Sequence, residues 1–214
     1  MFRKLFEDVL ENENKKEDVI INELTFFSED NCELFDFYNI CHDEIISFSL
    51  SGGDYNRDLE MPGFTIFFIN NGKAKAAIFI NGKLHDLNEN QNELCKYITL
   101  IHEIGHVNDF RKCKNINWKK RSCNLVMAEA FAEIHSLKYF SLRNDQYHRL
   151  CRKVLANRIL NFENYGDIYQ AILLQILKTY PQKSFFSGLL MPNKALKRDS
   201  QRAAFSLCVD FISF

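Results

Sequence analysis

His102-Glu103-Ile104-Gly105-His106 is the stretch on which the reading of this chain turns. It has the form H-E-x-x-H. On a helix, positions i and i+4 share one face, one turn apart. Two imidazoles so placed can bind one Zn²⁺, and the intervening glutamate can act as base toward water that the ion activates. The flanking residues predict that helix. Asn88 or Asn90 can cap its start. Leu94, Ile98, Ile101 and Ile104 form an apolar stripe with Tyr97 beside it, and Cys95, Thr99, His102 and His106 form a second row. One face is therefore expected in a core and another at a site.

Zinc needs a third protein ligand and leaves its fourth position for water. The metzincin spacing would put Gly at 109 and His or Asp at 112, whereas the chain has Asp109 and Lys112. The other arrangement takes a glutamate from a later helix. Met127-Ala128-Glu129-Ala130-Phe131-Ala132-Glu133 is Ala-rich, lacks Gly and Pro, and reads as helical. Glu129 is taken as the third ligand. Glu133, one turn on, is the alternative ligand or a partner that orients one. Asp109, on the same face as His106, can steady a ligand imidazole or simply be a polar residue near the helix end. His135 and Tyr139 are candidates for stabilising an oxyanion, although their spacing rotates them off the face of Glu129.

Upstream lies the clearest strand signal. Phe64 to Ile69 and Ala76 to Ile80 are apolar runs separated by Asn70-Asn71-Gly72, and Asn81-Gly82 marks a second turn before Lys83 to Leu87. Such runs suit strands buried on both faces, under the His102 helix. His85 reads as a surface residue rather than part of a cleft.

These residues together resemble the gluzincin class of zinc metallopeptidases, and within it the ImmA/IrrE family. The resemblance runs over residues 63–140. It rests on Ile78-Phe79-Ile80-Asn81, on the His102 motif preceded by Tyr97 to Ile101, and on Glu129-Ala130-Phe131-Ala132. The Asn that follows Glu-Ala in that family is absent, and Ile134-His135-Ser136-Leu137 stands where the family has Leu-Met-Pro. His-Glu-Ile-Gly-His-Val also resembles the HtpX-like peptidases, which are membrane proteins; no apolar run of about 20 residues occurs here. The resemblance implies an α+β, zincin-like fold. A small sheet containing antiparallel strands packs on the H-E-x-x-H helix, and the C-terminal half is mostly helical. It implies Zn²⁺ as cofactor, a peptide held by strand addition at a sheet edge, and a protein substrate such as a repressor or other regulatory partner.

The remaining chain is read around that core. Over 214 residues, 46% hydrophobic with net charge −1, one domain with a sizeable core is expected, without a general attraction to nucleic acid or acidic lipid. The start, Met1 to Glu7, turns acidic at once and does not read as a secretory signal. Seven cysteines without a C-x-x-C pattern read as reduced thiols in a cytoplasmic protein. Cys113 and Cys123 do not read as a structural metal pair. Residues 2–13 suit an amphipathic helix, 11–18 a solvated turn, 19–27 a strand or helix, 30–38 a helix and 44–50 a strand. His42-Asp43-Glu44 reads as a polar turn. Lys119-Lys120-Arg121 beside Trp118 reads as a solvated loop rather than a nucleic-acid surface. Residues 144–160 and 166–180 suit two more helices, with Ile168, Ile172, Leu173, Ile176 and Leu177 as a core stripe and Tyr147-His148 on the surface.

The expected organisation is one zincin-like domain over residues 1–190: an N-terminal α/β part (1–62), the metal-site core (63–140) and a helical part (141–190). A tail (191–214) follows. Pro192 to Arg202 resembles the peptide translated from the recombination site of a mobile integron gene cassette, which implies that the tail was acquired by read-through. The function expected is a zinc-dependent metallopeptidase with Glu103 as general base. The alternative is a non-catalytic zincin-fold regulatory or interaction protein of the toxin–antitoxin or phage-response type. A third reading is a metal-free helical protein with an accidental motif.

Overall fold

A computed structural model describes residues 1–24, 45–47, 62–70, 73–82, 87–112 and 125–180. The class is α+β, mostly helical with a small sheet. The chain divides into two compact units, Met1–Cys123 and Asn124–Phe214. The readings of residues 30–38, His42 to Glu44, His85, the Lys119 cluster, the Cys113–Cys123 pair and the 191–214 tail lie outside the described residues.

In the first unit, helix α1 (Phe2–Asn14) is followed by strand β1 (Val19–Leu24), so the described part of the stretch left open between strand and helix is a strand, and α1 runs four residues into the expected turn. Then come β2 (Ile45–Ser47), β3 (Gly63–Asn70), β4 (Lys73–Asn81) and the long helix α2 (Glu89–Lys112) that carries the histidines. The four strands form one mixed sheet in the order β1-β4-β3-β2. Strands β3 and β4 pair antiparallel from Gly63 opposite Ile80 to Asn70 opposite Lys73. Strand β1 runs parallel to β4, with Val19 opposite Ala76. Aromatic and β-branched residues fill β3 and the second half of β4, as a sheet covered on both faces requires.

Alternation along β3 decides how α2 sits on the sheet. Residues at i and i+2 share a face. Gly63, Thr65 and Phe67 form the face toward α2. A Cβ on Gly63 would meet Thr99 Cγ2, Thr65 Oγ1 hydrogen-bonds Glu103, and the Phe67 ring stacks on Phe110 with centroids 4.5 Å apart. Their opposite numbers on β4 are Ile80, Ile78 and Ala76. Phe64 and Phe79, paired in register on the other face, stack with centroids 5.1 Å apart.

Helix α2 begins where the sequence offers a cap. Of the two candidate asparagines, Asn88 is the one used: its Oδ1 accepts the Gln91 amide at 3.0 Å, and Gln91 Oε1 accepts the Asn88 amide at 3.1 Å. This is a reciprocal capping box. The Asn92 side-chain amide donates to the Gly82 carbonyl at 2.9 Å and so ties the helix start to the end of β4. Beyond that turn α2 departs from the two-faced helix expected. Every residue from Leu94 to Val107 is buried, with Asp109 and Phe110 after them. Even Lys96 is buried, its amine donating to Glu93 at 2.7 Å and lying 5.4 Å from the centroid of the Phe6 ring on α1. At the other end Arg111 grips Asp18 with two hydrogen bonds, 2.9 and 2.7 Å, between residues 93 apart in sequence. Bonding to Asp18 raises the guanidinium pKa further above its ordinary value, against partial desolvation.

The second unit is helical: α3 (Leu125–Ser141), α4 (Gln146–Leu160), a 3₁₀ turn (Asn161–Asn164) and α5 (Asp167–Thr179). Helix α3 packs on both α4 and α5. Two sequence expectations are corrected here. His148, expected at the surface, is 4% exposed. Its Nδ1 lies 2.5 Å from Asp145 Oδ2, and its ring lies 6.2 Å from both Tyr139 and Phe140. Ile168, expected in the core stripe, is 53% exposed. It sits in the first turn of α5 and faces outward, while Ile172, Leu173 and Ile176 bury.

Asp145 is the N-cap of α4, accepting the amides of Tyr147 and His148 at 3.0 and 3.1 Å. Partial desolvation works against its ionisation. Hydrogen bonds from the His148 amide and ring and the Tyr147 amide outweigh that and hold the carboxyl below its ordinary value. Because the folded-state pKa is the lower one, the stabilisation is present above the unfolded carboxylate value of about 3.9 and is lost as pH falls through the folded value. Asp145→Ala is expected to lower stability by about 1 kcal/mol at neutral pH. The gap between variant and parent should narrow below about pH 4, as measured by urea unfolding across that range.

Candidate metal centre

His102 and His106 lie one turn apart on α2, 9% and 8% exposed. Their Nε2 atoms are 3.2 Å apart and the ring centroids 4.9 Å, with an interplanar angle of 80°. That distance lets one imidazole N–H donate to the other ring. It also suits an ion. Nitrogens 3.2 Å apart, each about 2.0–2.1 Å from zinc, subtend about 100°, near the tetrahedral angle. The same helix segment brings Glu103 to the sheet. Its Oε2 accepts the Thr65 hydroxyl at 2.7 Å, and both residues are buried.

Thr65 is the residue that the motif did not point to. The signal for it was present but weak: a single hydroxyl inside the apolar run from Phe64 to Ile69. A buried hydroxyl in such a row costs free energy unless it meets a polar partner. Nothing local indicated that the partner would be Glu103, 38 positions away.

Asp109, the candidate for steadying an imidazole, is 2% exposed on α2. A residue merely marking the helix end would be solvated, so burial assigns it an interior position.

The other candidates lie on α3 in the second unit. Glu129 is half-buried near the start of that helix, and Glu133, one turn on, is 2% exposed. The two carboxylates differ in their surroundings. Glu133 Oε1 accepts a hydrogen bond from Arg158 Nη2 on α4, an ion pair with both side chains largely out of solvent. Such a pair is strongly destabilised by removing one partner. His135 is half-buried on the same helix. Tyr139 joins an aromatic cluster: its ring meets Phe140 edge-on at 5.4 Å, and the Arg143 guanidinium lies 3.9 Å from its centroid.

Among the described residues, no helix is long and apolar enough to cross a membrane. No protein-family model matches this chain, and neither a curated protein nor a solved structure does.

Proposed function

We propose that this chain is a zincin-like, zinc-dependent metallopeptidase that hydrolyses a peptide bond in a protein substrate in the cytoplasm. The single observation that carries the reading is the His102–His106 pair: two buried imidazoles with Nε2 atoms 3.2 Å apart, a separation that fits two ligands of one tetrahedral ion. The reading takes Glu129 as the third ligand beside His102 and His106, since a His-His-Glu donor set with water in the fourth position is one that holds catalytic zinc. Glu129 is preferred to Glu133 because Glu133 already serves Arg158, and its withdrawal would leave a buried cation unpaired.

When bound, zinc supplies Lewis acidity toward water and toward a carbonyl. The chain's own residues supply the proton transfers. Glu103 accepts the proton of the attacking water and passes it to the leaving amine. Glu103 is 5% exposed, between two histidines that are themselves buried. A purely structural metal site has no use for Glu103, which favours the enzyme over a regulatory zincin-fold protein. The resemblance to the ImmA/IrrE family supports a regulatory protein as substrate.

Elemental analysis tests the metal. The native protein is expected to carry about one zinc per chain, and His106→Ala close to none. The zinc-loaded chain should cleave members of a quenched fluorescent peptide library, lose that activity to a chelator and regain it with added Zn²⁺. A native preparation without stoichiometric metal overturns the reading.

A further inference from the structure

We infer that Thr65 is a positioning residue for Glu103, setting the rotamer in which that carboxylate meets its substrate water. The inference rests on the reading of Glu103 as proton acceptor. Its observations are separate from the metal site. On the face of β3 toward α2, Thr65 stands between Gly63 and Phe67, and the facing residues of β4 are Ile80, Ile78 and Ala76. Thr65 is the one hydroxyl in that patch, and it is 3% exposed. Glu103 is 5% exposed, and its hydrogen-bond partner among the described residues is Thr65, at 2.7 Å. A buried carboxylate oxygen turned toward a sheet of isoleucine and alanine would lose its hydration without return. One donor in one place therefore selects one orientation of the side chain.

The arrangement divides the labour of the two carboxylate oxygens. Oε2 is held by a donor that cannot itself take up a proton at neutral pH. Oε1 is left for the transferred proton. The threonine is β-branched on a strand that α2 covers, so its own χ1 is restricted. The device is rigid at both ends. The functional loss on removing the hydroxyl is one of orientation, and misplacing a reacting group by about 1 Å costs on the order of a hundredfold in rate.

Two variants test this. Thr65→Val keeps shape and β-branching and removes the hydroxyl, while Thr65→Ser keeps the hydroxyl. Crystal structures of the wild type and both variants are compared first, since they read Glu103 directly and need no substrate. The Glu103 side chain is expected to leave its rotamer, or to split between rotamers, in Thr65→Val and to stay in Thr65→Ser. Bound zinc should be unchanged in both. With the peptide library, kcat of Thr65→Val should fall by about tenfold to a hundredfold with KM held, and Thr65→Ser should recover most of it. An unmoved Glu103 in Thr65→Val, or a Thr65→Val enzyme as fast as the wild type, overturns the inference and leaves the peptidase reading standing. A wild type that holds no zinc and cleaves nothing overturns the peptidase reading, and with it the positioning role assigned to Thr65.

Discussion

Glu103→Gln is expected to lower the rate of peptide hydrolysis by about 10² to 10⁴-fold while leaving bound zinc unchanged. The amide is nearly isosteric with the carboxylate, and its oxygen can still accept the Thr65 hydroxyl that Glu103 Oε2 accepts at 2.7 Å. The packing between β3 and α2 should therefore survive. So should the histidine pair, because His102 and His106 are placed by the helix rather than by Glu103. What the amide cannot do is take a proton from water. The measurement is kcat and zinc content on one preparation, with a thermal melt to show that the fold is intact. A Gln variant as active as the wild type removes Glu103 from the mechanism. A Gln variant that also loses zinc assigns the glutamate a structural part instead. An inactive, zinc-loaded variant would further serve as a trap for cellular substrates.

The second large effect belongs to Gly63. A Cβ at that position would lie 2.6 Å from Thr99 Cγ2, 2.9 Å from the Phe79 carbonyl oxygen and 3.0 Å from Ile80 Cδ1. The Phe79 oxygen cannot give way, because it belongs to the backbone of β4, and Gly63 pairs with Ile80 on that same strand. Thr99 lies on α2 one turn before His102 and is itself 6% exposed. Gly63→Ala must thus push β3 away from α2 beside Thr99. Overpacking of this kind costs typically 1–3 kcal/mol, and with backbone on one side about 3 kcal/mol is expected. For a chain of this size that is a fall in melting temperature of roughly 6–12 °C. A change below about 2 °C would mean that the strand and helix can part without loss. Because Thr65 is two residues along on the same face, the Ala variant should also weaken the Glu103 contact, and with it any activity, more than the change in stability alone explains.

Local patterns announced most of the elements. The 3.6-residue spacing of Phe2, Phe6 and Val9 announced α1, and Leu94, Ile98 and Ile101 announced α2. The apolar runs announced β3 and β4, with ends off by one to three residues. Asn88 was one of two proposed caps, and the presence of Gln91 three residues on selects it, a capping-box signal already in the sequence. His148 was misread for an instructive reason. A His following Tyr near a helix start looks solvated, but Asp145, three residues earlier, both caps the helix and binds the ring, which allows the imidazole to be buried. Ile168 was misread because periodicity cannot tell how far toward a helix end the covered stripe extends.

What the amino-acid order determined by itself is the histidine pair. The i, i+4 relation is a property of any α-helix, so His102 and His106 converge as soon as α2 forms, whatever surrounds it. The burial of α2 on nearly all sides, the fastening of Arg111 to Asp18, the commitment of Glu133 to Arg158 and the meeting of Thr65 with Glu103 were decided only by the tertiary structure. Each of these three contacts joins residues 25 to 93 positions apart. Their partners are chosen by strand register, by which helix face the sheet receives and, for Glu133 and Arg158, by how α3 packs on α4, and none of these is encoded within any short window of the chain.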